Sequence, residues 1–484
     1  MSMRMWIILS ATLVGACTQA SPEMQIVSDA AGALGGKDRI QAVKMLVIEG
    51  EGPAPNLGQN LMPDSELPVW KVTEFKRTLD LANGRMRVEQ LRTAQFLFAG
   101  ATTVRQNQGV DGDVAFNVAD DGQATRVADA AARDRRIEML HHPLTLMRAS
   151  LDPATKLSHF HQAGSEHVVD ITTAKGDVLT LAVDSATKLP SRVTSMSDNP
   201  NLGDVAIETS FSNYEDVSGV KLPKRLTTKI DKYPQFDLSV SKNAVDGAAT
   251  EVAAPDAVKA AAPPAPAPVT VTAEEVGKGI WWLAGSGNHR SVVFEFTDHL
   301  TLYEVPVSEA RSKAVIDKAR TLRPGKPLTH AIVSHHHFDH SGGLRVAVAE
   351  GLTIITYRGN ETFFKDLVAR PHAIAPDALA KNPKPIKMEL VDDELTLKDG
   401  SMEVHLYHLV DNPREGTNLF AYVPRDRMLV QADLYDSAWL RHSWWDNVLQ
   451  NVERRKLRID TDVPVHGTLQ TWPEVLKTVK VTQK

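Results

Sequence analysis

The 484-residue chain holds a single cysteine, Cys17. One thiol excludes an intrachain disulfide, and it leaves no thiolate for a metal site in the body of the protein. Aromatic residues are scarce at 6%. No apolar run reaches the roughly 18 residues of a stable membrane-spanning helix. Concentrated positive charge is missing too. The net charge is -6 at pH 7, and phosphate recognition needs a basic face, so a nucleic-acid partner is not expected. What remains is an ordinary globular composition, 42% hydrophobic and 24% charged, in a chain long enough for two or three domains.

The place of the one cysteine is informative. The chain opens "MSMRMWIILSATLVGACTQA". Arg4 supplies a short positive region, Met5 to Leu13 an apolar one, and small residues follow, which is the grammar of an export signal. "LVGAC" resembles a bacterial lipobox. That resemblance implies a signal peptide over residues 1–16 and a lipid anchor on Cys17. Thr18 in the following position, where aspartate would hold the chain at the inner membrane, points by the same resemblance to the outer membrane. The expected location is the periplasm.

Residues 253–269, "AAPDAVKAAAPPAPAPV", form an Ala/Pro stretch. Proline removes amide donors and favours extended backbone, so a semi-rigid linker is expected. Residues 22–252 before it are dominated by alternating stretches such as "KMLVIEGEG", "VLTLAVDS" and "FDLSVSKN", separated by turn signals such as "NG" and "DNPNLGD". Period-two alternation with such turns predicts an antiparallel β-rich domain. "ATKLPSRV" and "YEDVSGVKLPKRL" resemble the curved half-barrels of periplasmic lipoprotein-carrier-type domains. Residues 270–484 change rhythm: strand-like and helix-like stretches alternate, which predicts layered α/β structure.

The second part contains "AIVSHHHFDHSGG", residues 331–343. In extended backbone, side chains two apart share a face, so His335 and His337 can close on one ion. Asp339 and His340 follow and can serve a neighbouring ion, whereas His336 and Phe338 alternate away. With the apolar strand "LTHAIVS" before it and Gly342-Gly343 after it, this string resembles the metallo-β-lactamase-fold hydrolase superfamily over most of residues 275–470. The resemblance implies an αββα sandwich. It also implies further ligands at the ends of later strands. "MEVHLYHLVDNPREGTN" offers His408, with His405 the rival; "RMLVQADLYDS" offers Asp433, with Asp436 the weaker rival; "TDVPVHGTL" offers His466. The implied arrangement has His335, His337 and His408 on one ion, Asp339, His340 and His466 on a second, and Asp433 bridging.

Nitrogen and oxygen donors without sulfur suit Zn²⁺, with manganese or iron as alternatives. Two such ions holding a hydroxide would give a nucleophile at neutral pH. Asp339 is the candidate to orient it. Tyr435, two residues past Asp433, is a candidate hydrogen-bond donor to the developing oxyanion. The expected activity is hydrolysis of an ester, lactone, thioester, amide or phosphoester of a small molecule. Three alternatives are carried: a mononuclear iron enzyme like persulfide dioxygenases, a three-histidine β-lactamase, and an envelope lipoprotein whose β-rich domain binds a lipid or partner.

Overall fold

The structure is a computed structural model that describes residues 21–96, 102–247, 251–437, 442 and 444–480. The export signal and Cys17 lie outside the described residues. Among the described residues, no helix is long and apolar enough to cross a membrane.

The first domain is built on a 13-stranded antiparallel sheet. Its order follows the chain outward in both directions from a central pair, Met45–Pro55 beside Tyr233–Val245. The opening helix, Pro22–Leu34, starts at Ser21, whose side chain accepts the Met24 amide, and stops at Gly35, where φ is 126°. Its Ile26, Val27, Ala30 and Leu34 pack with Leu46, Ile48 and Leu79 of the sheet and with Leu144 of a later helix, Pro143–Ser150. The sheet encloses a cavity of about 720 Å³. Arg77, Arg92 and Gln108 line it from one set of strands, and Leu226 and Leu238 from another. Phe338, from the histidine string, also lines it.

Part of the Ala/Pro stretch is docked. Residues Asp256–Ala260 are helical, Val258 packs beside Phe116, and Lys259 lies 3.0 Å from Asp111. Residues 261–270 are exposed and form neither helix nor strand.

The second domain is an αββα sandwich. A seven-stranded sheet runs in chain order from Val271–Gly277 to Lys387–Val391, antiparallel at first and parallel from Leu300–Tyr303 onward. A six-stranded sheet runs from Glu394–Lys398 to Gln470–Thr471. Phe294, Ile332 and Ile355 of the first sheet meet Val404, Leu406 and Val430 of the second. The outer face of the first sheet buries Val315, Ile316 and Phe364 from helices Glu309–Leu322 and Glu361–Ala369. Helix Asp446–Arg454 covers the second sheet through Val448. Parallel strands covered on both faces read as unbroken apolar runs, which is why "LTHAIVS" shows no alternation.

The two domains touch at two places. Leu202 and Val205 of the first join the helix-side core of the second. Asp204 there accepts the amides of Ala373 and Ile374 at 2.8 and 3.0 Å. The connection between strands Met45–Pro55 and Val69–Asp80 reaches the histidine string.

Candidate metal centre

Strand Leu328–Ile332 delivers the string to one end of the sandwich. His335 and His337 then sit on one side of the backbone with ring centres 4.6 Å apart. His336 turns away and pairs through Nδ1 with the Thr417 hydroxyl at 2.9 Å. A short helix, Phe338–Ser341, swings Asp339 and His340 inward. The glycines that follow are required by close approach: a Cβ on Gly343 would lie 1.9 Å from Ser312 Oγ.

Two donor clusters result. His335, His337, Glu415 and Asp433 form one, and Asp339, His340, Asp433 and His466 the other, each with donor atoms within 4.8 Å of one another. Asp433 belongs to both. Its Oδ1 lies 3.0 Å from His340 Nε2 and 2.9 Å from His466 Nε2, and its Oδ2 accepts Arg414 Nη2 at 2.8 Å.

Each imidazole is anchored through one nitrogen and presents the other. His335 Nδ1 meets the Ser334 hydroxyl at 2.8 Å. His337 Nε2 donates to the Asn60 carbonyl at 2.8 Å. His340 Nδ1 donates to Glu304 at 2.6 Å, and His466 Nδ1 to the Asn288 carbonyl at 3.0 Å. Such anchoring fixes the tautomer and the ring plane of a metal ligand. His335 Nε2 and His337 Nδ1 are buried and make no hydrogen bond. The inward nitrogens of His340 and His466 face each other at 3.1 Å. Buried lone pairs pointed at one another are costly unless a cation lies among them, so the residues present fit divalent metal.

The electrostatics agree. Burial pushes the His335 ring well below its usual range and brings His337 down to about 4, which keeps both lone pairs free. Burial also works against charge on His340 and His466, yet Asp433 foremost, with Asp339, outweighs it and raises both. Burial would lift Asp433, but His340, His466 and Arg414 hold it well below the carboxylate range. Glu415, buried beside Asp433, is pushed up. Without a cation, protons balance the carboxylates.

Backbone strain gathers here as well. Glu304, Val307 and Asp433 have φ of 78°, 67° and 64°, a region that costs a non-glycine residue about 1–2 kcal/mol.

The structure brings together His335, His337, Asp339, His340, Asp433 and His466. It does not bring in His408 or Tyr435. His408 ends strand Glu403–His408, where its ring stacks on Tyr357 at 3.8 Å and its Nε2 donates to the Gly416 carbonyl at 3.0 Å. The chain leaves the sheet there, and the returning loop supplies Glu415 instead. Tyr435 donates its hydroxyl to Gln470 at 2.9 Å and packs on Trp445, so it serves the fold and not the oxyanion. Sequence reasoning also missed Glu304, His289 and Arg414. His289 Nε2 lies 3.3 Å from Asp339 Oδ2. The phrase "NPREGTN" carried a signal for Glu415, an acidic residue in a small polar loop after a strand.

The metallo-β-lactamase superfamily model matches residues 285–434. A linear primary-alkylsulfatase from Pseudomonas sp is 29% identical over 106 residues, 22% of this chain and 15% of that protein. The matched stretch is thus under a sixth of that relative's length. A metallo-β-lactamase from Pontibacter korlensis aligns with 44% of this chain and 100% of its own, at 14% identity and a TM-score of 0.35. The inverting sec-alkylsulfatase Pisa1 from Pseudomonas sp aligns with 43% of this chain and 40% of its own, at 16% identity and a TM-score of 0.33.

Proposed function

We propose that this chain, whose residues 285–434 belong to the metallo-β-lactamase superfamily, is a two-metal hydrolase of sulfate esters. His335, His337 and Glu415 would hold one divalent ion, Asp339, His340 and His466 the other, and Asp433 both. The observation that carries the reading is Asp433, one carboxylate placed in both donor clusters. Bound there, the ions would supply Lewis acidity and lower the pKa of water. The protein's own residues fix the site in advance. Ser334, Asn60, Glu304 and Asn288 orient the four rings. Arg414 pins the outer oxygen of Asp433. Asp339, with its side chain 29% exposed, is the most open of the donors, and in this reading it is the candidate to take a proton from attacking water.

The mixed nitrogen and oxygen donor set suits zinc, manganese or iron. A single-iron site would need one cluster only, and a three-histidine β-lactamase would need an imidazole where Glu415 stands. The substrate class rests on the local similarity to the alkylsulfatase. The test is elemental analysis of the full-length protein with a substrate panel: alkyl sulfate, lactone, thioester, phosphodiester and β-lactam. Two ions per chain and cleavage of the sulfate ester, both lost in Asp433→Ala, support the reading. No bound metal, or hydrolysis that survives Asp433→Ala, overturns it.

We place this activity in the periplasm, on a lipid anchor at Cys17. Cys17→Ala should move the protein from the membrane fraction to the soluble one; unchanged fractionation counts against the anchor. A binding role for the first domain is favoured by its cavity, with apolar walls and charged walls of both signs. Saturable uptake of a fluorescent fatty acid, lost in Leu226→Trp, is the expected result.

A further inference from the structure

We infer that the metal centre is completed by the first domain, and that Gln59 is a positioning residue for it. This rests on the two-metal reading above. The segment after strand Met45–Pro55 leaves the large sheet and lies along the donor residues. Gly58, with φ of 78°, sits flat on Phe338; a Cβ there would come 2.2 Å from the ring. Gln59 follows, and its amide makes two contacts. Nε2 donates to Asp339 Oδ1 at 2.9 Å, and Oε1 accepts Arg414 Nη2 at 3.2 Å. That same Nη2 donates to Asp433. One amide therefore restrains Asp339 directly and Asp433 through a single guanidinium.

The next two residues act through the backbone. The Asn60 carbonyl accepts His337 Nε2, which leaves Nδ1 as the free lone pair. The Leu61 carbonyl accepts the Gly416 amide at 2.8 Å, adjoining Glu415. A Cβ on Gly416 would lie 2.4 Å from Met62 Sδ, so the two segments are in close contact. Both donor clusters are thus braced by one segment that precedes them by more than 270 residues.

The physical effect is preorganisation. Asp339 has one oxygen held by Gln59, and its other lies 3.4 Å from His340 Nε2 and 3.3 Å from His289 Nε2. Without the amide, the carboxylate is free to rotate toward His289, and binding an ion must then supply the ordering.

The test uses full-length protein, zinc and a competing chelator. Gln59→Met keeps the length of the side chain and removes both hydrogen bonds; Gln59→Ala removes packing as well. Both variants should bind zinc about 10- to 100-fold more weakly than the parent. The melting temperature of the metal-free protein should stay unchanged. Gly58→Ala, which pushes the segment off Phe338, should weaken zinc binding in the same way. Parental affinity in both Gln59 variants overturns the inference, and so does a loss of affinity matched by a fall in metal-free melting temperature. A parent that binds neither zinc, manganese nor iron overturns the two-metal reading instead.

Discussion

Glu304 holds His340 from behind: its Oε2 lies 2.6 Å from His340 Nδ1, and both side chains are fully buried. Its other oxygen accepts the Ser334 amide at 2.8 Å. Both partners are donors, so only a carboxylate satisfies the pair. Glu304→Gln must either aim its NH₂ at a donor or force His340 onto the tautomer with Nε2 protonated. That tautomer has no lone pair to offer the site. The expected result is metal affinity lowered about 10- to 100-fold, read by chelator competition. Affinity equal to the parent's would refute the orienting role.

Glu415 and His408 make opposite predictions. Glu415→Ala should lose one ion per chain and all hydrolysis. His408→Ala should keep both ions and lose its stacking on Tyr357 and its hydrogen bond to the Gly416 carbonyl, a cost of about 1–3 kcal/mol in stability. Elemental analysis with thermal melting separates them. Metal loss in His408→Ala with retention in Glu415→Ala would reverse the assignment.

Asp462 predicts a pH dependence. Burial raises its carboxyl to about 8, with Asp436 adding and the Gln431 amide partly offsetting. The native chain keeps this proton to about pH 8, whereas an unfolded chain releases it near ~3.9. Stability contributed here is therefore lost as pH rises from about 4 to 8, because the native state binds more protons across that window. Asp462→Asn removes the loss. Its melting temperature should exceed the parent's at pH 8 by roughly 2–8 °C, the shift expected for about 1–2 kcal/mol in a domain of this size. The difference should vanish near pH 4, and an equal gain at both pH values would sink the explanation.

The inter-domain contact gives a fourth test. Arg370 donates to the Leu202 carbonyl and to the Asp231 carboxylate, both in the first domain. Arg370→Ala should weaken the contact by about 1–3 kcal/mol. Calorimetry should then show two separated unfolding transitions where the parent shows closer ones. An unchanged trace would mean that Asp204 and the apolar contacts carry the docking alone.

The sandwich and most of the donor set were legible because one short string carries the family resemblance. The His-x-His-x-Asp-His string needs only strand alternation and one turn. That resemblance then implied Asp433 and His466, each after an apolar strand. Glu415 was only faintly legible: a small polar loop after a strand marked an acidic residue, but in an irregular loop no period tells which side chain faces inward. His408 attracted the assignment as the strand-end imidazole, but pairing of His408 with Leu419 leaves it beside Tyr357. Gln59 and Asn60 were beyond any local pattern. Their contacts span separations of 280 and 277 residues, and a backbone carbonyl carries no sequence signature at all.

The central pairing of the large sheet has a consequence for the order of assembly. Ile48 pairs with Asn243, so strand Met45–Pro55 gains its second neighbour only when the first domain is nearly complete. Contacts of such sequence separation form late, after the loop-closure entropy has been met. The segment that braces Asp339 and His337 hangs from this strand. Metal that loads into a fixed geometry would therefore load after this pairing. A chain that met zinc earlier would offer it histidines not yet oriented.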